Sequence, residues 1–288
     1  VNRYWQRFFG FGIVVTENDF GTQGDKPTHP KLLDWLADEF MRLNWDVKAL
    51  HRVIVTSATY RQASHMRPEL AKRDPSNRLL ARQRRVRLEA EIVRDASLAA
   101  SGLLATKLGG PSVYPPQPGG LDKFTQNPKN WKANTDQNRY RRGLYTFFWR
   151  SSPDPFLMTF DAPDGNSSCT RRVRSNTPLQ ALTMSNDLTF VEIAQGLAGR
   201  ILAKDTADVA SRLEHAFRLC LSRQPTDREQ AVLANYYDKQ LVAFEKNTAD
   251  ANKFAVQDRP KNVSVAEAAA WTAVSRLLLN LDEFITRE

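Results

Sequence analysis

Apolar residues recur every three to four positions along most of the chain, which is the spacing of one face of an amphipathic α-helix. In the first third this pattern predicts a helix over residues 2–9 and a second helix opened by Thr28 and Pro30. Asp46 is the expected N-cap of a third helix. A longer periodic stretch predicts one helix over residues 74–105. Its apolar seam consists of Leu79, Val86, Ala90, Val93, Ala100 and Leu104.

The last third of the chain shows the same helical spacing. Four of its helices are expected to begin at a capping residue: Thr177, Thr206, Thr226 and Ser264. A further helix is expected over residues 189–202. The apolar stripe of the helix after Thr206 includes Cys220, which we therefore interpret as a core thiol. Residues 247–262 are polar and aperiodic, and they predict a loose linker.

The middle of the chain differs because proline and glycine interrupt the pattern. Residues 106–142 hold five prolines and show no sustained period, so we predict a long ordered surface loop. Aromatic and β-branched residues then predict two short strands over residues 144–149 and 156–160. The predicted fold is mainly α: a multi-helix bundle with a small inserted β-hairpin and a long Pro/Gly-rich surface loop. Within this single domain fragment we distinguish three parts: residues 1–105, 106–176 and 177–288.

The composition is that of a folded protein, with 41% hydrophobic and 25% charged residues in a chain of 288. No apolar run reaches the roughly 18–20 residues that a membrane-spanning helix needs, so no membrane span is expected. The chain opens at Val1 without Met or a secretory signal, and we expect a fragment of a longer protein. Cys169 and Cys220 leave two alternatives open, a disulfide in an exported protein or two reduced thiols.

The formal charge of +9 is unevenly distributed along the sequence. Residues 201–288 hold 12 Lys and Arg against 13 Asp and Glu, so the excess lies entirely in residues 1–200. Its densest run lies on the predicted long helix and includes two ligand-binding candidates, Arg82 and Arg85. One interpretation is a solvated or interdomain face paired by salt bridges, and another is a surface for acidic polysaccharide. We do not expect nucleic acid as the partner.

Carboxylates cluster at the end of the second predicted strand. Asp161 and Asp164 lie in a Pro/Gly-bounded loop, where they are candidates for a cation site or a general acid–base pair. The alternative is structural: they cap turns or pair with Arg171 and Arg172, which are also candidate ligand-binding residues. No histidine lies in a metal-binding motif, so we predict no metal site, and His51 is a catalytic candidate only together with these carboxylates.

One tryptophan, Trp131, lies in the predicted loop without an amphipathic pattern that would bury it. An exposed indole among asparagine and lysine residues is typical of a surface on which sugars stack, so Trp131 is a further ligand-binding candidate. The alternative is that the indole folds back and anchors the loop.

A series of short strings occurs in the order found in a known family. These strings are Asn2-Arg3-Tyr4-Trp5-Gln6, Asp19-Phe20-Gly21, Thr28-His29-Pro30, Leu33-Asp34-Trp35-Leu36, Leu50-His51-Arg52, Thr59-Tyr60-Arg61-Gln62, Asn77-Arg78-Leu79-Leu80, Phe160-Asp161-Ala162-Pro163-Asp164, Thr177-Pro178-Leu179-Gln180-Ala181-Leu182 and Leu279-Asn280-Leu281-Asp282-Glu283-Phe284. Together they resemble the planctomycete-specific domain one family, a domain of unknown function at the C-terminal end of large planctomycete proteins. The resemblance implies an exported, multidomain parent in the periplasm or outside the cell, with a cytochrome-c-like haem domain upstream. It implies no established activity, and we expect no cofactor within this chain.

Two hypotheses follow for the function. The first is a non-catalytic structural or interaction module that contacts upstream domains of the same parent protein and, in addition, an acidic polysaccharide. The alternative is a glycan-active hydrolase or lyase that uses His51 with Asp161 or Asp164. The sequence contains no recognisable catalytic constellation, which favours the first hypothesis.

Overall fold

The computed structural model describes residues 1–120, 131–204, 206 and 208–287, and it forms two compact units. Unit 1 comprises Val1–Arg87, Ser168–Val173 and Thr286–Glu288, and unit 2 comprises Leu88–Ser167 and Arg174–Ile285. The mainly α fold with a small antiparallel β element is confirmed. The subdivision at residues 105 and 176 stays a prediction.

The described residues contain thirteen α-helices and one pair of short strands. The helices are α1 (Asn2–Phe9), α2 (Pro30–Arg42), α3 (Val47–Thr56), α4 (Pro68–Arg73), α5 (Ala90–Ser101), α6 (Pro155–Thr159), α7 (Pro178–Asn186), α8 (Leu188–Leu202), α9 (Val209–Leu221), α10 (Asp227–Lys246), α11 (Thr248–Phe254), α12 (Val265–Leu279) and α13 (Asp282–Ile285). Strand β1 (Val86–Arg87) pairs antiparallel with β2 (Thr286–Arg287), and Val86 lies opposite Arg287. None of the helices in the described ranges combines the length and hydropathy needed to cross a lipid bilayer.

Unit 1 is built from α1 to α4 and the two strands. Its core consists of Trp5, Phe9, Ile13, Leu36, Leu50 and Ile54. Helix α1 ends at Gly10, whose φ of 82° is the left-handed conformation that glycine adopts without a steric penalty. The buried Asn2 side chain then fixes the following turn, because it donates to the Val14 carbonyl at 2.9 Å and accepts from the Val14 N–H at 3.0 Å. This turn carries Phe11, which is exposed.

Unit 2 is organised around α12. This helix is buried along nearly its whole length, and it packs against α8, α10 and α11. Trp271 is fully buried, and its ring centroid lies 4.9 Å from that of Tyr237 on α10. Helix α8 approaches α5 closely at Gly196, where a Cβ atom would lie 2.9 Å from a methyl carbon of Leu103. A helix without a polar face is stable only when neighbours surround it, so the other helices of this unit enclose α12.

The long helix predicted over residues 74–105 is wrong in its first half. Helical structure begins only at Ala90, and Arg82 and Arg85 therefore lie on an irregular segment. The Asp74 carboxylate accepts from the backbone N–H groups of residues 78 and 79 at 2.8 and 2.7 Å. The Asn77 side chain donates to the carbonyl of residue 82 at 2.8 Å. Such side-chain bonds give the backbone an alternative to the helix.

The two strands predicted over residues 144–149 and 156–160 are also wrong. The first region contains a 3-10 helix, Gly143–Tyr145, and the second is α6. Asp154 caps α6 by accepting from the Leu157 N–H at 3.0 Å. Proline at the first position of α6 supports the helix, because its fixed φ is helical and its missing N–H is not needed there.

Several helix boundaries are confirmed and others shift. Asp46 and Thr177 cap their helices as predicted, and Thr226 forms the complete capping box. Ser264 forms only half of its box, because Glu267 instead contacts Arg212 at 2.6 Å. The expected caps Thr28 and Thr206 are wrong by one and two residues, since His29 and Asp208 occupy those positions. The predicted linker over residues 247–262 contains helix α11.

The capping box of α10 generates a prediction for the dependence of stability on pH. Arg223 donates to both carboxylate oxygens of Glu229 at 2.7 and 2.9 Å and, with Thr226, lowers the pKa of Glu229 to about 2. Because this pKa lies below the unfolded value of 4.5, the ionised carboxylate stabilises the folded chain above pH 4.5, and the contribution disappears as the pH falls toward 2. We expect Glu229→Gln to lower the free energy of unfolding at pH 7 by less than about 1 kcal/mol, because the pair is partly exposed.

The measurement is urea unfolding of the full chain between pH 2 and pH 7. The difference between wild type and Glu229→Gln is expected to shrink below pH 4.5. Glu245→Gln, at an exposed position of the same helix, is the control and is expected to show no such dependence. A difference between wild type and Glu229→Gln that stays constant with pH would contradict the assignment.

Candidate functional site

The net positive charge of the protein lies in unit 1. This unit holds 19 Lys and Arg residues against 10 Asp and Glu residues, whereas unit 2 holds 22 of each. Unit 1 therefore carries the whole formal excess of +9. Four arginines that the sequence indicates as ligand contacts belong to it: Arg82, Arg85, Arg171 and Arg172.

Arg84 lies beside an exposed aromatic ring on this unit. Its Cζ atom lies 4.3 Å from the centroid of the Phe11 ring, and its Nη2 atom donates to the Ser76 carbonyl at 2.6 Å. Burial and the neighbouring charge of Arg82 lower the pKa of Arg84, although an arginine stays protonated at neutral pH. An anion at this position would offset the repulsion between the two guanidinium groups.

Arg171 reaches the same ring from a distant part of the sequence. Its Cζ atom lies 5.8 Å from the Phe11 centroid. The segment that carries it is held by a hydrogen bond of 2.7 Å from the Asn18 side chain to Thr170, and its Nε atom lies 4.0 Å from a Glu17 carboxylate oxygen. The Arg171 side chain remains exposed.

Two irregular segments thus meet at Phe11, through Arg84 and Arg171. We call these two residues and the arginines close to them in the sequence the arginine cluster: Arg82, Arg84, Arg85, Arg171 and Arg172. Arg85 and Arg171 are exposed, while the other three are half-buried. Guanidinium groups bind carboxylate and sulfate oxygens with two parallel hydrogen bonds. Arg84 and Arg171 can therefore bind anionic groups beside an apolar ring.

Trp131 belongs to unit 2. Its indole N–H donates to the Pro115 carbonyl at 2.8 Å, and its ring meets the edges of Tyr114 and Trp149 at centroid distances of 5.1 and 5.5 Å. These contacts favour the interpretation of Trp131 as a loop anchor. The predicted loop lies partly outside the described residues, because residues 121–130 are not among them.

The two catalytic carboxylate candidates lie in unit 2, where hydrogen bonds hold both. Asp161 accepts from the N–H and the hydroxyl of Ser175 at 2.8 and 2.9 Å. Asp164 accepts from the Asn166 N–H at 3.0 Å, and this bond lowers the pKa of the Asp164 carboxyl. Both carboxylates therefore stabilise the turns that contain them.

His51, the third catalytic candidate, belongs to unit 1. Its ring lies edge-on to Tyr4 and Phe8, with centroid distances of 5.1 and 5.2 Å. The structure thus places His51 in one unit and both aspartates in the other. Within the described ranges, no group of three or more His, Cys, Asp or Glu side chains is arranged to hold a metal ion.

Three charged side chains of unit 2, Arg94, Asp154 and Asp187, are among those that line a cavity of about 10 Å³. Burial raises the pKa of Asp154 and lowers the pKa of Arg94. Each side chain has a structural partner: Asp154 caps α6, Arg94 donates to the Arg139 carbonyl at 2.7 Å, and Asp187 caps α8 through the Thr189 N–H at 2.8 Å. The cavity has room for about one water molecule and none for a substrate.

The sequence pattern of one protein family, PSD1, described as a protein of unknown function (DUF1553), matches residues 1–237. The chain belongs to this family. The resemblance to planctomycete-specific domain one is thereby confirmed, and the family itself supplies no activity. No curated protein and no solved structure matches the chain. The arginine cluster lies entirely within the PSD1 match, whereas α11, α12 and α13 lie beyond it.

Phe11 is missed by the sequence analysis, and Arg84 is placed there in the densest basic run without being a ligand-binding candidate. Phe11 lies between Gly10 and Gly12 directly after a helix, and an aromatic residue in such a turn has no periodic face to bury it. That signal is present in the sequence. The sequence does not indicate that Arg171 approaches this ring, because Arg171 lies 160 residues further along the chain.

The two cysteines generate a testable difference in reactivity. Both are free thiols, which favours the second of the two alternatives stated above. Burial raises the pKa of the Cys220 thiol to about 12, and this side chain packs against the core of unit 2. Cys169 is exposed on the segment that carries Arg171. We expect iodoacetamide at pH 8 to modify Cys169 at least about tenfold faster than Cys220, because the thiolate is the reactive form.

Mass spectrometry of proteolytic peptides measures the two rates. Urea is the control, since unfolding is expected to make the two rates similar. Equal rates in the native protein would contradict the burial of Cys220, and protection of both thiols until a reductant is added would indicate a disulfide.

Proposed function

We propose that this PSD1 chain is a non-catalytic interaction module that binds acidic polysaccharide through the arginine cluster of unit 1. The observation that supports the proposal is the concentration of the whole +9 charge in one unit, with Arg84 and Arg171 on the exposed Phe11 ring. Unit 2 is formally neutral by comparison.

Acidic polysaccharides present two features that this surface can bind. Their carboxylate or sulfate groups pair with guanidinium groups, and the C–H faces of their rings pack on aromatic side chains. The cluster offers both within a few ångströms, because Phe11 lies between the two arginine-bearing segments. Arg84 is held by the Ser76 carbonyl, so we assign the direct contacts to Arg82 and to the exposed Arg85 and Arg171.

Polysaccharide is favoured over nucleic acid by the form of the basic segment. Sequence-reading proteins commonly place a basic helix or a two-stranded ribbon in the major groove of DNA. The arginines from 78 to 85 lie on an irregular segment instead of the predicted helix. A flexible polyanion does not need a helical partner, so this form is compatible with a polysaccharide.

The wider setting is a proposal that rests on the family resemblance. We propose that the module works in the periplasm or outside the cell, in contact with upstream domains of a larger parent that includes a haem-binding domain. The alternative function, a glycan-active hydrolase or lyase using His51, Asp161 or Asp164, stays a hypothesis. The hydrogen bonds of both aspartates with neighbouring residues favour the non-catalytic proposal over it.

The proposal predicts a loss of polyanion binding when the accessible arginines are neutralised. The test compares the variant Arg82→Gln/Arg85→Gln/Arg171→Gln with wild type for binding to alginate and to dextran sulfate by calorimetry. We expect the affinity at about 50 mM salt to fall at least tenfold, and the slope of log affinity against log salt to decrease by about two to three.

The matched control is Arg228→Gln/Lys239→Gln/Lys246→Gln, which removes three exposed charges from α10 and gives the same net charge. This variant is expected to retain most of the affinity. Equal losses in the two triple variants would show that only net charge matters and would contradict the assigned surface. Duplex DNA bound more tightly than alginate at equal salt would contradict the choice of polysaccharide.

A further inference from the structure

Unit 1 has an apolar groove that the arginine cluster does not account for. Its volume is about 850 Å³, which falls within the range of roughly 300–1,000 Å³ typical of ligand-binding sites. Helices α1 and α2 provide most of its lining. The large side chains that line it are Tyr4, Phe20, Leu33, Phe40, Met41 and Trp45.

Three of these side chains are exposed although they are large and apolar. The exposed fractions are 62% for Phe20, 48% for Met41 and 64% for Trp45. A contiguous apolar surface of this kind on a folded protein is typical of an interaction site. Other large apolar side chains of unit 1, such as Trp35 and Met66, are also exposed, but the groove brings three exposed ones together on one surface.

Trp45 is also held in a disfavoured backbone conformation. After α2 ends, Asn44 and Trp45 have φ angles of 51° and 61°, and the Trp45 N–H donates to the Phe40 carbonyl at 3.0 Å. Glycine or asparagine normally occupies such left-handed positions, and a bulky side chain there is uncommon. The Trp45 ring lies edge-on to Phe40 at a centroid distance of 5.2 Å. Strain that keeps an aromatic ring at the rim of a groove indicates a role in binding.

The charged side chains that line the groove indicate which kind of partner it binds. Arg3 and Arg7 lie one turn apart on α1, and both are exposed and line the groove. Glu17 is the one acidic residue among the lining residues of this groove in the described part of the chain. Together with the net charge of unit 1, the two arginines favour an occupant that carries negative charge beside apolar side chains.

We propose that this groove binds an acidic amphipathic helix of a partner polypeptide. Apolar side chains at helical spacing enter the space between α1 and α2 and contact Phe40, Met41 and Trp45, while acidic residues at the margin face Arg3 and Arg7. The largely aliphatic and aromatic lining suits such a helix better than a sugar chain, which needs more polar partners. The groove and the arginine cluster share no residue, so this proposal goes beyond the polysaccharide contact.

The test uses the full 288-residue chain and a synthetic peptide of 18 residues with Leu on one helical face and Glu on the other. Calorimetry is expected to show saturable binding at least about tenfold tighter than for a scrambled peptide of equal composition or for a peptide with Lys in place of Glu. Trp45→Gly and Met41→Glu are each expected to weaken binding by about tenfold or more. The Tm of Trp45→Gly is not expected to fall, since glycine relieves the backbone strain.

The matched controls are Met66→Glu and Trp35→Ala, at positions of unit 1 that are 45% and 52% exposed and lie outside the groove lining. Both are expected to leave the affinity for the peptide unchanged within about twofold. Equal binding of the scrambled peptide, or equal effects of Met41→Glu and Met66→Glu, would overturn the proposal. Binding of phosphatidylglycerol-containing vesicles that depends on Met41 would assign the groove to a membrane instead. Self-association that depends on Met41 would assign it to a second copy of the chain.

Discussion

Unit 1 depends on the pairing of two chain segments that lie about 200 residues apart in the sequence. β1 ends the arginine-rich segment, and β2 comes from the last residues of the chain. The side chain of Arg287 also donates to the carbonyls of Arg7 and Phe8, at the C-terminal end of α1. The last carbonyls of a helix have no hydrogen-bond partner within it and carry partial negative charge. An arginine at this position donates hydrogen bonds to these carbonyls and places a positive charge beside them. Arg287 therefore connects the end of α1 to the strand pair at the end of the arginine-rich segment.

The sequence predicts the fold well where a capping residue precedes a periodic stretch. α3, α7, α10 and α12 begin close to the expected positions, because the signals for their starts are local. The failure at residues 74–89 has a different cause: the apolar spacing there continues that of α5, while Asp74 and Asn77 bind backbone groups and prevent the helix. At α6 the aromatic residues favour a strand by propensity, but Asp154 and Pro155 form a helix start, and this local signal prevails over propensity.

The candidate site is only partly accessible to prediction from the sequence. Four of the five arginines of the cluster are selected from the sequence, and all five belong to the same unit. Which ring they surround depends on a return of the chain at residues 168–173, and nothing in the local sequence indicates that return. The apolar groove is missed for another reason. Its side chains occupy ordinary amphipathic positions on α1 and α2, and only the backbone conformation at Trp45 and the exposure of its ring distinguish it.

The position of β2 in the sequence determines when unit 1 can form its strand pair during synthesis. The four helices of unit 1 and strand β1 leave the ribosome about 200 residues ahead of β2, the partner of β1. Pairings between such distant segments form slowly, because the intervening chain must first become compact. The family match ends at residue 237, before β2 begins, so a fragment cut at that boundary would leave β1 as an open edge. The family match therefore ends at a residue that lies inside compact unit 2.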